Sequence, residues 1–507
     1  MTRVVTEAVV DATVLDEVRR PRRGFVLETA AEGAYLAEEG PVHDYRREVT
    51  TEALPDGRSR VRQVVEYRLA VPYFGFLFAP GVRRLLGRLD ERRAFPWWAP
   101  PQRVDARAAT ALGVLCALSW IVGYMGTILT QTVTYAADEF GSGKGAQGFA
   151  LALVRFDVIV TVFVVALADR RGRRTVLLHA TTFACVLTAL CSLAPSLLSL
   201  AGAQVLARGF VTAGVLILAI AVAEEMPAGA RAYGVSLLAL AAGGGAGMCV
   251  LLLPVCDLAT WSWRLLYLVP LAAVPLVRRA GRRLPESRRF RAPHAEVRMA
   301  GRRGRFWLLA ASGFLLNLFL APASQFQNEY LRDERGFSGG RVSLFTVVTA
   351  TPGFLGVVVG GRLAERGRRL VGAVAVVVGV WSTVLVYVGT GWSVWAWSTL
   401  GSIVAAATIP ALGVYGPELF PTALRGRANG VITGLARLGS VVGLLVAGTV
   451  ADATGRLGPA MTLLAIGPTV LALLVLVAYP ETAHRELEEL NPEDAPPRAV
   501  PGEAEGG

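Results

Sequence analysis

Lysine is almost missing from this chain: Lys144 stands alone among 51 basic residues, the rest being arginine. That bias reflects coding preference and excludes no function. Cysteine is sparse and scattered. Cys116, Cys185, Cys191, Cys249 and Cys256 lie in apolar stretches without ligand spacing, which excludes a disulfide framework and a cysteine metal centre. There is no phosphate-cradling Walker loop, so nucleotide-driven transport is excluded. No nucleophile–base spacing and no metal-ligating cluster marks an enzyme, so neither catalysis nor a cofactor is expected. The first twenty residues, MTRVVTEAVVDATVLDEVRR, lack the apolar core of a signal peptide. The chain start is therefore expected in the cytosol, with the first apolar helix as insertion signal.

What the chain does have is apolar surface. Hydrophobic residues make up 53 %, there are 55 glycines, and mean hydropathy is +0.48, values of a polytopic membrane protein. The net charge of +12 is compatible with a nucleic-acid partner, but the arginines sit in short loops between apolar runs. They are read as orienting a membrane protein, with no nucleic acid among its partners. Twelve apolar segments are expected near 108–133, 147–167, 175–193, 198–222, 233–254, 263–278, 306–327, 342–361, 370–388, 394–416, 428–450 and 459–479. Each is long enough to cross about 30 Å of hydrocarbon, the sixth only barely. Basic loops at 169–174, 279–305, 362–369 and 425–427 alternate with loops of little positive charge. This places both termini in the cytosol of a multi-pass protein of the cell membrane.

Residues 1–103 read as a small α+β unit and linker. Tyr45, Arg47, Val49 and Thr51 alternate with Asp44, Arg46, Glu48 and Thr50; Val61, Val65, Tyr67 and Leu69 share a face; LPDG between them is a turn signal. The aromatic and basic stretch YFGFLFAPGVRRLLGRL suits a membrane surface, and FPWWAPPQR a linker. The remaining divisions are a six-helix half at 104–290, a basic central loop at 291–305, a second half at 306–482 and a tail at 483–507. The hairpin with the stretch after it resembles the C-terminal half of helix-grip (START-like, SRPBCC) domains, which cradle apolar ligands. It reads equally as a folding or docking appendage and as a lipid or ligand sensor.

The two halves repeat each other in parallel register. VALADRRGRR (Val165–Arg174) corresponds to GRLAERGRR (Gly361–Arg369), and EEMPAGARAYG (Glu224–Gly234) to ELFPTALRGRANG (Glu418–Gly430). In the second pair a Glu precedes Pro by three and an Arg follows it by four. LPESRRF and YPETAHRELEEL close the sixth and twelfth segments. An acidic Asp169 or Glu365 lies level with the starts of the eleventh and fifth helices, whose positive ends attract it.

These motifs resemble the major facilitator superfamily, in its sugar-porter-like and metabolite:proton symporter branches. The resemblance covers roughly residues 105–492 and implies a twelve-helix all-α fold in two pseudo-symmetric halves. Its motif A falls on Val165–Arg174, with Val165 in place of glycine. Its PESPR and PET motifs fall on Pro285–Arg288 and Pro480–Thr482. It implies a cytoplasmic gate latch of Asp169, Arg170, Gly172, Arg173, Glu224, Arg231, Glu286, Arg288, Gly361, Glu365, Arg366, Glu418, Arg425 and Glu481. The sugar porters' glutamine signature is absent from the seventh helix. The antiporter motif is half present: Gly234, Gly243 and Gly247 keep its spacing, Met248 replaces its proline, and glycine helix packing accounts for the same spacing. Arg208 and Gly214 match the R-x-x-x-x-x-G motif of the fourth helix, whose arginine faces the cavity in that family.

Charges inside spans are functional candidates. They are Arg155 and Asp157 in the second helix, His179 near the surface in the third, Arg208, and Arg437 in the eleventh. Asp157 and Arg437 each lie twelve residues from a cytosolic marker, about 18 Å deep, and are expected to pair across the halves. Arg155 points the other way. Asp157 is the first suspect for proton coupling, and three arginines against one aspartate favour an anionic substrate. Gln131, Asn317, Ser324, Gln325, Gln327 and Asn328 are candidates for a substrate cavity. The sequence thus points to a monomeric, lipid-embedded secondary transporter of a small organic solute, coupled to protons. The alternatives are a ligand- or lipid-responsive sensor on a transporter fold and a multidrug efflux antiporter.

Overall fold

The computed structural model describes residues 1–31, 33–55, 57–89, 96, 98–142, 150, 153–284, 286, 302–327, 330–337 and 339–492. Arg288 and Asn328 lie outside the described residues, as do most of the central loop and the tail beyond Pro492.

The chain opens with a five-stranded antiparallel sheet in the order β1-β5-β4-β3-β2. Its strands are β1 (Thr2–Val10), β2 (Leu27–Ala31), β3 (Ala34–Glu39), β4 (Val42–Ala53) and β5 (Ser59–Leu69), with helices α1 (Ala12–Val18) and α2 (Gly75–Leu86). The β4–β5 hairpin pairs Thr51 with Val61 and Arg47 with Val65, and Gly57 takes the positive φ its turn needs. Alternation sends Tyr45, Val61, Val65 and Tyr67 inward. Arg47 goes inward with them. It pairs at 2.6 Å with Glu28 of β2 and donates to the Val18 and Arg20 carbonyls, tying α1 to the sheet.

Twelve helical segments follow among the described residues. Those of the first half are Ala106–Glu139, Asp157–Arg171, Arg173–Leu190, Leu197–Glu225, Arg231–Leu251 and Trp263–Arg283. Those of the second are Arg303–Gln325, the pair Gly339–Ala350 and Gly353–Ala364, Arg368–Val388, Trp392–Ala406 with its continuation to Glu418, Thr422–Thr454, and Leu457–Leu464 with Ile466–Ala478. They are numbered here one to twelve. Ten are long and apolar enough to cross a membrane by themselves. The second carries Asp157 and a charged last turn, and the sixth has arginines at both ends of Leu265–Val277. Packing inside the bundle and snorkelling of those arginines complete these two. Buried residues gather in two clusters, largely one per half.

Close helix crossings repeat between the halves. A Cβ on Gly245 of the fifth helix would lie 1.9 Å from the Trp120 carbonyl oxygen of the first. A Cβ on Gly443 of the eleventh would lie 2.0 Å from that of Leu318 on the seventh. Such approach is possible only without a side chain. Of the three glycines at antiporter spacing, Gly234 packs against Val222, whereas Gly243 and Gly247 face open space. Packing therefore does not account for that spacing; the crossing with the first helix is made by Gly244 and Gly245.

The N-terminal domain sits on the bundle end that carries the repeated motifs. Thr110 of the first helix donates to the Ala70 carbonyl, and the Pro96–Arg103 strap spans both halves. Tyr233 donates to the Trp98 carbonyl at 2.8 Å and Gly229 N–H to Gln102 at 2.7 Å, from the first half. Arg362 of the second half donates to the carbonyls of Pro96 and Ala99, at 2.8 and 2.9 Å.

Candidate functional site

Where the second and eleventh helices cross, their antiparallel register sets the site. Gly426, Gly430 and Gly434 of the eleventh face Asp169, Val162 and Val158 of the second. The glycines come from the eleventh helix here, which explains why Val165, fully buried, is accommodated where motif A has glycine. At the fifth–eighth crossing the roles reverse: a Cβ on Gly361 would lie 2.1 Å from the Ser236 hydroxyl.

About three turns from the motif end this register brings Asp157 to Arg437. The Arg437 guanidinium donates to Asp157 Oδ2 at 3.0 Å. Asp157 is fully buried and Arg437 is 22 % exposed. Thr212 of the fourth helix donates to the same oxygen at 3.1 Å. Oδ1 is buried without a hydrogen-bond partner among the described residues. Thr212 had no sequence signal. It is delivered by Gly209, where a Cβ would lie 2.4 Å from that of Val160, letting the second and fourth helices touch. Gly214, the motif glycine, makes only an ordinary contact with Val122.

Arg155 is exposed and Arg208 half-buried, and both lie within electrostatic reach of Asp157 and Arg437. Arg155 makes no ion pair with Asp157 among the described residues. Three guanidinium groups thus act on one carboxylate, and only that of Arg437 is paired with it among the described residues. Tyr267, hydrogen-bonded to Thr132 at 3.1 Å, also lies within reach of Arg208. Asn317 donates to the Gly313 carbonyl and accepts from Ser440, one turn past Arg437. Gln131 and Gln327 are half-buried, Gln325 and Ser324 exposed near the end opposite the motifs, and His179 is exposed.

At the motif end the acids cap helices in a matched pattern. Asp169 accepts the Gly426 and Arg427 N–H groups at 3.0 and 2.7 Å, at the start of the eleventh helix. Glu365 accepts the Ala232 N–H at 2.6 Å, at the start of the fifth. Each acid belongs to one half and the helix it caps to the other. Within the halves, Glu286 caps the third helix through Arg174 N–H at 3.0 Å, and Glu481 caps the ninth through Arg368 N–H at 3.1 Å. Arginines knit these caps together. Arg173 lies 2.7 Å from Asp169 and 3.6 Å from Glu224, and Arg425 lies 2.5 Å from Glu224. Arg231 lies 3.6 Å from Glu418 and 3.1 Å from Glu486, and Arg368 pairs with both Glu365 and Glu418. Arg173, Arg231, Arg368 and Arg425 are buried, which needs this density of partners. Burial pushes the Glu365 carboxyl above its usual range, opposed by Arg368 and the Ala232 N–H. Arg170 and Arg366 are exposed, and Gly172 takes a φ of 100° in the turn between the second and third helices.

The sequence model of the Major Facilitator Superfamily matches residues 321–502. That match lies outside the N-terminal domain, whose helix-grip resemblance it does not support. Comparison with curated proteins gives no match. Among solved structures, the proton:xylose symporter XylE bound to 6-bromo-6-deoxy-D-glucose is similar at 17 % identity and TM-score 0.61, covering 76 % of this chain and 98 % of its own. FucP in the outward conformation is similar at 16 % identity and TM-score 0.61, over 73 % of this chain and 98 % of its own. The human organic anion transporter MFSD10 (TETRAN) is similar at 15 % identity and TM-score 0.59, over 73 % and 99 %. The chain therefore has the major facilitator transporter fold, with that family's sequence signature in its C-terminal half and an additional N-terminal α+β domain.

Proposed function

We propose that this protein is a secondary transporter of a small organic anion, coupled to protons through Asp157 and working by alternating access. One observation carries the reading. Asp157 is buried between the halves, with one oxygen paired to Arg437 of the other half and the second oxygen without a hydrogen-bond partner among the described residues. A proton taken up on that second oxygen weakens the attraction to Arg437 and frees a guanidinium for an anion. Arg155 and Arg208 add positive potential at the same depth, which favours a negatively charged substrate. The similar structures include proton symporters and an organic anion transporter by their own descriptions.

In this reading the acid caps and arginine pairs are the cytosolic latch, closed in the structure, with both termini in the cytosol of the cell membrane and the monomer as the working unit. A buried charge capping a helix end contributes up to about 2 kcal/mol, so a handful of them hold a gate that substrate binding still opens. The test is a thermal-shift screen of the full chain in detergent, at two pH values, against organic acids, sugars and cationic drugs. An organic acid should stabilise the protein, and the effect should vanish in Arg208→Ala. In liposomes loaded with a pH-sensitive dye, the same acid should move protons with the parent protein and not with Asp157→Asn. Stabilisation by sugars or cations alone overturns the anion assignment.

A further inference from the structure

A cavity of about 350 Å³ lies between the N-terminal domain and the first and fifth membrane helices, and neither Asp157 nor Arg437 lines it. Leu69, Phe74 and Phe78 form its domain wall, and Leu112, Cys116 and Leu237 its membrane wall. Among the described residues no charged side chain lines it, and the one phenol, Tyr233, is already bonded to the Trp98 carbonyl. Such a surface satisfies a hydrocarbon chain. A peptide segment would leave its backbone groups unpaired there.

The mouth has matching chemistry. On α2, Phe76 and Leu77 are 70 % and 63 % exposed, and Leu77 also lines the cavity. Arg83 and Arg84, seven residues on and hence on the same faces, are exposed about 10 Å away. An apolar pair and a basic pair two turns apart fit an acyl chain and its phosphate at a membrane surface. Just before α2, Tyr73 has a φ of 65°, a conformation a bulky residue keeps only where its surroundings hold it. Its ring lies 5.7 Å from the Arg283 guanidinium.

We propose that this cavity binds an acyl chain of an anionic phospholipid from the adjacent leaflet, with Arg83 and Arg84 at the phosphate. Trp98 and Ala99 line the cavity and belong to the strap bonded to Tyr233 and Arg362. A bound lipid therefore stabilises the strap that joins the two halves, and so the closed latch. Only this last consequence rests on the transport reading; lipid binding itself does not.

The test places the full chain in nanodiscs containing phosphatidylglycerol with a mid-chain diazirine, followed by photolysis and peptide mapping. Adducts are expected in both 69–82 and 109–120. Leu237→Trp, which narrows the cavity, should remove them. The exposed double change Arg83→Gln/Arg84→Gln should lower labelling to that given by a diazirine phosphatidylcholine, without touching the core. The proposal is overturned if adducts spread over outward-facing helix surfaces and ignore Leu237→Trp. It is equally overturned if phosphatidylcholine labels as well as phosphatidylglycerol, or if only a diazirine fatty acid labels. Strap coupling is read separately, as the electron–electron distance between spin labels on Arg171→Cys and Arg427→Cys, exposed on opposite sides of the seam. The short-distance population should rise with phosphatidylglycerol in the otherwise unchanged chain and not with Arg362→Ala added; an equal response in both contradicts the coupling while leaving the lipid site standing.

Discussion

Asp157 and Arg437 illustrate how unevenly a buried pair treats its two members. Removing the arginine strands a fully buried carboxylate, whereas neutralising the aspartate leaves a guanidinium with access to water. Arg437→Ala is therefore expected to lower stability by about 2–4 kcal/mol, and Asp157→Asn by less. The double variant should recover part of the loss, measured as thermal melting in detergent. Additive losses would mean the two do not interact. Arg47 and Glu28 pose the same problem in the soluble domain, both buried. Glu28→Ala should cost about 3–5 kcal/mol there, read as faster proteolytic nicking of the sheet in the full chain. Glu365 adds a pH dependence. Its pKa is raised in the folded state, so the fold holds its proton more tightly than the unfolded chain does. Its contribution is therefore most favourable at low pH and is lost as pH rises through the folded pKa. Glu365→Gln, which mimics the protonated acid, should gain in melting temperature relative to the parent as pH rises from acidic to neutral. A relative gain in the opposite direction would contradict the burial argument.

At the scale of elements, the glycines decide which helices touch. Gly245→Val would drive a side chain into the Trp120 backbone, and Gly443→Val into that of Leu318, so both should abolish a monodisperse fold. Gly243→Val and Gly247→Val face open space and should be tolerated. Size-exclusion profiles distinguish the two pairs. These positions also show what the sequence makes readable. Span positions follow from apolar length, because the bilayer dictates it, and the repeated acids and prolines mark the motif end. Which glycine lies at a crossing depends on the neighbour, and nothing local records it. Gly209, and with it Thr212 beside Asp157, was unreadable for that reason, as was the exchange of glycine between Val165 and the eleventh helix. The β4–β5 hairpin was legible because its residues alternate from Tyr45 onward and all along β5, past the irregularity between His43 and Arg46. In β1 the exposed Val5 and Val9 blur that pattern, and β2 and β3 are short.

Over the whole molecule, two halves meet along two antiparallel seams, each sealed at one end by an acid capping the other half's helix. Asp169 and Glu365 are equivalent under the repeat, as are Arg173 and Arg368, and Glu224 and Glu418. In the proposed cycle, such symmetry gives the closed end many contacts that release together. The Asp157–Arg437 pair lies on one of the two seams, so its charge state bears directly on that seam's closure. Spin labels on Arg171→Cys and Arg427→Cys, both exposed and on opposite sides of the seam, report that end by electron–electron distance. The native cysteines are all buried, which limits background labelling. One short distance is expected for the parent protein at neutral pH. A second, longer population should appear on acidification, and at neutral pH in Asp157→Asn. A single distance that ignores both pH and Asp157→Asn would contradict coupling between the buried pair and the latch.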